Sequence, residues 1–269
     1  MLRRLAFMAL SLLAAAPALA ADPLFAPEPV ASSGWIVTVR ANVTLSPKFE
    51  GSDARTLFAY PTLSVRRAGT NPRFSAPDDG LGIALYEQPG FAVGPVVAYR
   101  PGRYTGDDRR LAGLDDVRWA IEPGVFLEFW PTDFARARVE LRHGVFGHQG
   151  LVGTLGLDYV QRAGAVSFSF GPRAEFGDGR YARDVYDVTP FEAALNPFVT
   201  AYRGKSGFTS VGAVAAVTYD WTPSISTTLY GGYKRLVGSA ADNPVTEAFG
   251  SRDQFNIGLR ASYSFGVDW

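Results

Sequence analysis

Cysteine is absent from the 269 residues. No disulfide can brace the fold, and anchoring through a lipid-modified cysteine is excluded. Beyond residue 20, no apolar run approaches the ~18–20 residues that a membrane-spanning helix needs. Histidine is confined to His143 and His148. Two histidines five positions apart lack the convergent ligand spacing of a metal site. Neither is placed facing a lumen beside a serine, as a hydrolase would need. The sequence therefore implies no metal, no cofactor and no catalysis. Charge of one sign is not in excess either: 26 basic residues stand against 26 acidic ones. Without Arg3 and Arg4 of the leader described next, 24 stand against 26, a balance that implies no nucleic-acid partner. Lysine is limited to Lys48, Lys205 and Lys234, so positive charge is carried almost wholly by arginine.

What is present begins with MLRRLAFMALSLLAAAPALA, two arginines followed by a short apolar run and Ala18-Leu19-Ala20. This pattern predicts a secretory signal peptide over 1–20, cleaved before Ala21; an uncleaved membrane helix is disfavoured by the shortness of the run. Residues 21–34, rich in Pro, Ala and Ser, form an expected periplasmic lead-in. From Trp35 onward the chain alternates apolar and polar residues. Trp35, Val37, Val39, Ala41 and Val43 fall on one face, and Thr38, Arg40, Asn42 and Thr44 on the other. Alternation recurs to the end, where QFNIGLRASYSFGVDW puts Phe255, Ile257, Leu259, Tyr263, Phe265 and Trp269 on odd positions. Period-two alternation marks strands with one apolar and one polar face. Several segments exceed ten residues, the length of a tilted strand crossing a membrane, whereas strands of globular proteins run about 5–6.

An exported, aromatic-rich chain of this kind is a soluble sandwich or an outer-membrane barrel. The connections favour the barrel. Short turns at 87–90, 131–133, 161–164 and 222–224 alternate with long ones at 101–117, 177–206 and 238–252, apart from a tight connection at 146–150. Bacterial barrels have short periplasmic turns, longer outer loops and an even strand count. Eleven clear segments leave the parity odd, and a short strand near Arg73–Ala76 restores it. The fold class is thus all-β: a transmembrane antiparallel β-barrel over 35–269, of about 12 strands, with 10 as the alternative. Trp35, Trp130, Trp221 and Trp269 fall at the periplasmic rim, where an aromatic belt is expected.

The polar face carries charges that pair across expected ladders: Glu128 with Arg136, Glu122 with Arg142, and Arg138 with Asp158. With Arg40, Glu140 and Arg173 they form the candidate lumen lining. Such charges either select ions in a pore or fill a narrow lumen. The acidic pairs Asp78-Asp79, Asp107-Asp108 and Asp115-Asp116 are expected in turns or loops, as solvated turn formers. Bridging to lipopolysaccharide through divalent ions is their alternative role. The glycine-rich GDGRYARD at 177–184 lacks the strand-to-helix setting of a phosphate loop.

Several stretches resemble the MipA/OmpV family of outer-membrane proteins: SPKFEGSD (46–53) followed by YP (60–61), GPVVAYRPGR (94–103), LAGLDDV (111–117) and YDVTPFEA (186–193). The resemblance extends through 204–245 and GSRDQFNIGLRASYSF (250–265). The chain departs from the pattern at Tyr186-Asp187-Val188, where a glycine often precedes the valine. The resemblance implies a barrel in the outer membrane of a Gram-negative bacterium, in contact with lipid and lipopolysaccharide. It also implies a scaffolding role that joins a lytic murein transglycosylase to a murein synthase in peptidoglycan biosynthesis. A narrow porin-like channel for small solutes is the second function it admits.

Overall fold

The computed structural model describes residues 34–70 and 72–268. The expected leader at 1–20, the lead-in at 21–34 apart from Gly34, and Trp269 lie outside the described residues. Thirteen strand segments form one sheet. They are β1 (Trp35–Pro47), β2 (Arg55–Arg67), β3 (Leu81–Gly82), β4 (Tyr86–Gln88), β5 (Phe91–Arg100), β6 (Ala120–Thr132) and β7 (Ala135–His143). Then follow β8 (Val145–Phe146), β9 (Leu151–Ala163), β10 (Val166–Gly177), β11 (Gly207–Asp220), β12 (Ile225–Leu236) and β13 (Asp253–Val267). The order is β2-β1-β13-β12-β11-β10-β9-β7-β6-β5-β3, with β4 on β5 and β8 on β6. Thirteen segments less these two leave eleven wall positions, every pair antiparallel, in a nearly closed barrel. No ladder joins β2 to β3 among the described residues.

Alternation sets which side chains face out. Phe255, Ile257, Leu259, Tyr263 and Phe265 of β13 are exposed, as are Val125, Leu127 and Phe129 of β6. Their even-numbered neighbours Gln254, Glu122, Phe126 and Glu128 are buried. An apolar outer band around a polar interior is the solution by which strands cross lipid, with backbone groups paired along the ladders of the wall.

Register fixes the two ends. Trp35 lies opposite both Arg67 and Val267, so the start of β1, the end of β2 and the end of β13 share one rim with the short turns. Trp35, Phe134, Tyr159 and Trp221 are exposed there, and the Arg67 guanidinium stacks over Trp35 at 5.4 Å. Trp130 does not join this belt. It shares the inward parity of Glu128, donates from Nε1 to Glu128 Oε1 at 2.9 Å, and meets Phe74 edge-on at 6.0 Å.

The long connections gather at the opposite rim. They carry a short 3-10 turn (Arg109–Leu111) and four helices: α1 (Gly179–Tyr186), α2 (Pro190–Leu195), α3 (Gly238–Ala241) and α4 (Pro244–Phe249). Side chains start three of them: Asp178 caps α1, Asn243 caps α4, and Thr189 with Glu192 makes a reciprocal capping box on α2. Pro190 and Pro244 sit in the first turns, where a missing N–H costs nothing. Phe49, Leu111, Leu114, Val188, Val199 and Val245 form one apolar core in this cap, and Val152, Tyr181, Ala182, Tyr186 and Leu236 belong to a second. Since the wall turns its apolar residues outward, buried apolar packing concentrates in the cap.

Three sequence expectations are corrected. The segment around Arg73–Ala76 is not a strand. Pro72 and Pro77 lack the N–H a ladder needs, and residues 72–80 run inside the barrel from the short-turn rim before the chain re-enters the wall at Leu81. Something does have to climb here to keep the crossings even, but it climbs through the lumen. The β6–β7 register also differs by two residues, because the hairpin turns at Asp133-Phe134, between the paired Thr132 and Ala135, rather than around Thr132. Glu128 therefore faces Arg138 rather than Arg136, and Arg142 faces Gly124 rather than Glu122. Across β7–β9, Asp158 faces Arg136 rather than Arg138.

Candidate functional site in the barrel lumen

The inward positions of β5, β6, β7, β9 and β10 form a network of charges. Arg136, whose side chain is 0% exposed, reaches Asp79 Oδ2 at 2.6 Å, Asp158 Oδ2 at 2.8 Å and Glu128 Oε2 at 3.0 Å. Arg138 reaches Glu140 at 2.8 Å and Glu128 at 3.1 Å, and its guanidinium lies 4.1 Å from the centre of the Phe126 ring. Arg142 donates from Nε to Glu122 Oε2 at 3.0 Å and from Nη1 to Glu140. Arg173 bridges Asp158 and Asp78, each at 2.7 Å. Removing such charges from water costs several kcal/mol apiece, roughly, unless partners and hydrogen bonds compensate. Here each acid meets more than one donor.

The internal segment 72–80 belongs to this network. Arg73 pairs with Glu128 at 3.0 Å, and the Gly80 N–H donates to Glu140 Oε1 at 3.2 Å. Asp78 and Asp79 do form a turn, the Asp79 N–H donating to the Ala76 carbonyl at 3.2 Å, but the turn lies in the lumen and their carboxylates hold arginines of the wall. Asp108 does behave as a turn former: it caps the 3-10 turn and pairs with Arg110 at 2.5 Å.

Above the network, beneath the cap, lies a cavity of about 410 Å³ lined in part by Glu50, Arg100, Glu122, His148, Glu175, Tyr181, Tyr186 and Lys234. Arg100 reaches Glu122 at 2.5 Å, Glu175 at 3.3 Å and Glu50 at 3.4 Å. Glu50, at the β1–β2 tip, also meets Lys234 at 3.0 Å and accepts from the Tyr186 hydroxyl. Burial pushes the Glu50 carboxyl up, but Lys234, Arg100 and the Tyr186 hydrogen bond outweigh it and hold it down at about 2. Burial beside the same carboxylate pushes the Tyr186 phenol well above its ordinary range. His148, in the tight 146–150 connection, is buried. Phe146 takes φ 79, and the chain then folds inward, so that His148 Nε2 lies 3.0 Å from Glu122 Oε1 and its ring meets Tyr181 edge-on at 4.9 Å. Gly144 lies against that imidazole: a Cβ there would sit 2.2 Å from it. His143 is exposed on the outer face.

The remaining wall is different. Arg40 and Arg260 face inward from β1 and β13 among hydroxyls and amides. Arg260 Nε donates to Asn42 Oδ1 at 2.8 Å, and Thr38 bonds Ser264 at 2.8 Å. Of the sequence-derived candidates, eight enter the charge network and Arg40 stands apart from it. Sequence reasoning passed over Arg73, Asp78, Asp79, Arg100, Glu175 and Arg260. Parity alone marks Arg100, Glu175 and Arg260, whereas the role of the 72–80 segment has no periodic signal.

The stretches that carry the family resemblance converge on the cap. Phe49 (from 46–53), Leu111 and Leu114 (from 111–117), Val188 (from 186–193) and Val245 share one core. The Asp115 N–H donates to Glu192 Oε1 at 2.8 Å, joining two of these stretches directly. Asp187 holds φ −60, an ordinary conformation that needs no glycine, and its carboxylate accepts from the Gly204 N–H at 2.6 Å.

A family model described as MltA-interacting protein MipA matches residues 39–265. Among curated proteins, none matches the chain. Among solved structures, the chain is similar to the COG4313 outer membrane channel from Pseudomonas putida F1, at 12% identity over 91% of this chain and 100% of that one, with a TM-score of 0.45. It is also similar to the NanC porin, at 10% identity over 84% and 98%, TM-score 0.42. OmpT, an outer membrane protein of Vibrio cholerae, gives 10% identity over 86% and 96%, TM-score 0.37.

Proposed function

Because the chain belongs to the family of the MltA-interacting protein MipA, we propose that it is a structural barrel of a Gram-negative outer membrane, set among lipid and lipopolysaccharide, that scaffolds murein synthesis. On this reading a lytic murein transglycosylase and a murein synthase dock at the short-turn rim, beside the 21–34 lead-in left after the signal peptide. The observation that carries it is the obstructed lumen: residues 72–80 are tied into the wall through Asp78, Asp79 and Arg73, and the long loops pack a cap above. A barrel so filled is built to hold shape rather than to pass solute. His148 serves the packing on this reading, bonding Glu122 and meeting Tyr181 edge-on. The test is affinity capture of the tagged protein from envelope extract. Recovery of both murein enzymes is expected, and capture of neither refutes the scaffold.

A second reading, a narrow porin-like channel for small solutes, is favoured by the cavity beneath the cap and by the acid-free wall around Arg40 and Arg260. Single-channel recording in planar bilayers separates the two. A silent barrel across a range of voltages removes the channel.

A further inference from the structure

We propose that the lumen holds a binding site for a small oxyanion, a solute bearing a carboxylate or phosphate group, between Arg40 and Arg260. Four contiguous strands, β2-β1-β13-β12, place no Asp or Glu at an inward position. They do place Arg66, Arg40, Arg260 and Lys234 there. Lys234 is answered by Glu50 at 3.0 Å. Among the described residues, Arg40 and Arg260 form no salt bridge. The acids of the opposite wall are already engaged by its own arginines.

The ladders place the two side by side. Arg40 lies opposite Thr62 and Ser262, and Arg260 opposite Asn42 and Thr228. They are thus diagonal neighbours across β1–β13, with backbones about 7–8 Å apart. Two half-buried like charges at this separation repel, and nothing in the wall offsets them. Arg260 is oriented by its neighbours: Nε donates to Asn42 Oδ1 at 2.8 Å, Nη2 reaches the Pro77 carbonyl at 3.4 Å, and the guanidinium lies 5.8 Å from the Tyr230 ring centre. Arg40 has no hydrogen-bond acceptor among the described residues. Planar guanidinium forks match carboxylate and phosphate oxygens in pairs, and the hydroxyls of Thr62 and Ser262 lie at the level of Arg40. An oxyanion supplies the one element this wall lacks. The site goes beyond both functional readings, since a barrel need not conduct to bind.

The test uses the mature chain refolded in detergent at constant low ionic strength. Succinate and inorganic phosphate are titrated separately, with chloride and glycerol as controls, and binding is read by calorimetry and by the thermal unfolding midpoint. Saturable binding of at least one of the two anions is expected, at least tenfold weaker in R40Q and in R260Q. Binding should be unchanged in R235Q, an exposed arginine paired with Asp253 at 2.8 Å. Where a glutamine variant fails to show the folded band on unheated gels, R40K or R260K replaces it. These keep the charge but lose the fork, and intermediate affinity is expected. Undiminished binding in an R40Q/R260Q double variant overturns the proposal, as does the absence of saturable binding of either anion to the unmodified chain. No voltage enters this measurement, so its failure is distinct from a failure to conduct.

Discussion

Arg136→Gln tests whether the charge network holds the barrel together. Arg136 is fully enclosed and touches three carboxylates within 3.0 Å: Asp79, Glu128 and Asp158. A hydrogen bond to a charged group contributes ~1.5–3 kcal/mol, so three give an upper bound near ~5–9 kcal/mol. That bound is not reached, because each acid keeps another donor. Asp158 retains Arg173 at 2.7 Å, Glu128 retains Arg73 at 3.0 Å and Arg138 at 3.1 Å, and Asp79 retains Arg138 at 3.7 Å. The expected loss is about 3–5 kcal/mol, the range found when one partner of a buried pair is removed. The assay is urea unfolding of the refolded chain in detergent, followed by tryptophan fluorescence and by the different gel migration of unheated and boiled samples. Adding Asp158→Asn to the variant removes one carboxylate that has lost a partner and should recover part of the loss, which a double-mutant cycle reports as coupling. A loss under ~0.5 kcal/mol, the size of an ordinary surface substitution, would refute the reasoning. The lumen would then be wet enough to screen its own pairs.

The cap should loosen in acid. Glu50 is held at about 2 against an ordinary 4.5, so its stabilisation is complete above about pH 4.5 and is lost as pH falls toward 2. Pepsin should cut the long loops increasingly across that window, whereas Glu50→Gln should be cut at every pH within it; identical profiles for the two proteins would overturn the assignment. Leu111→Ala, at a position 1% exposed in the cap core, should cost the cap about 2–5 kcal/mol. Loop proteolysis should rise while the folded-barrel band is unchanged, and a lost band would mean that cap and wall unfold together. Joint replacement of Asp78 and Asp79 by Asn releases the contacts to Arg173 and Arg136. Planar bilayers should then show more current than the unmodified barrel passes, and a variant identical to its parent would show that residues 72–80 are not the obstruction.

The wall was legible because its signal is local. A side chain's face follows from the parity of its position, so QFNIGLRASYSFGVDW announces an outer apolar face wherever β13 sits in the sheet. Turn residues and loop lengths likewise sorted the two rims. The cross-strand pairs were less legible: the β6–β7 hairpin turns at Asp133-Phe134 rather than around Thr132, which moves the register by two residues, and parity does not respond to a shift of two. Trp130 itself shows the limit of counting tryptophans without asking which face each one takes. The cap helices announce themselves only weakly, since they are short and owe their stability to packing across loops far apart in sequence.

By itself, then, the sequence determined an all-β chain with an apolar outside, a charged inside and long loops at one end. These follow from alternation and turn chemistry, which act over a few residues. Tertiary structure alone decided what the inside contains. Residues 72–80 carry no strand pattern, and their two prolines bar them from a ladder, so their course is set by which arginines of the closed wall await Asp78 and Asp79. That Arg40 and Arg260 form no salt bridge among the described residues is likewise a property of how the wall is assembled. Whether a charge has a partner depends on strands brought together from across the chain, and no local pattern encodes that.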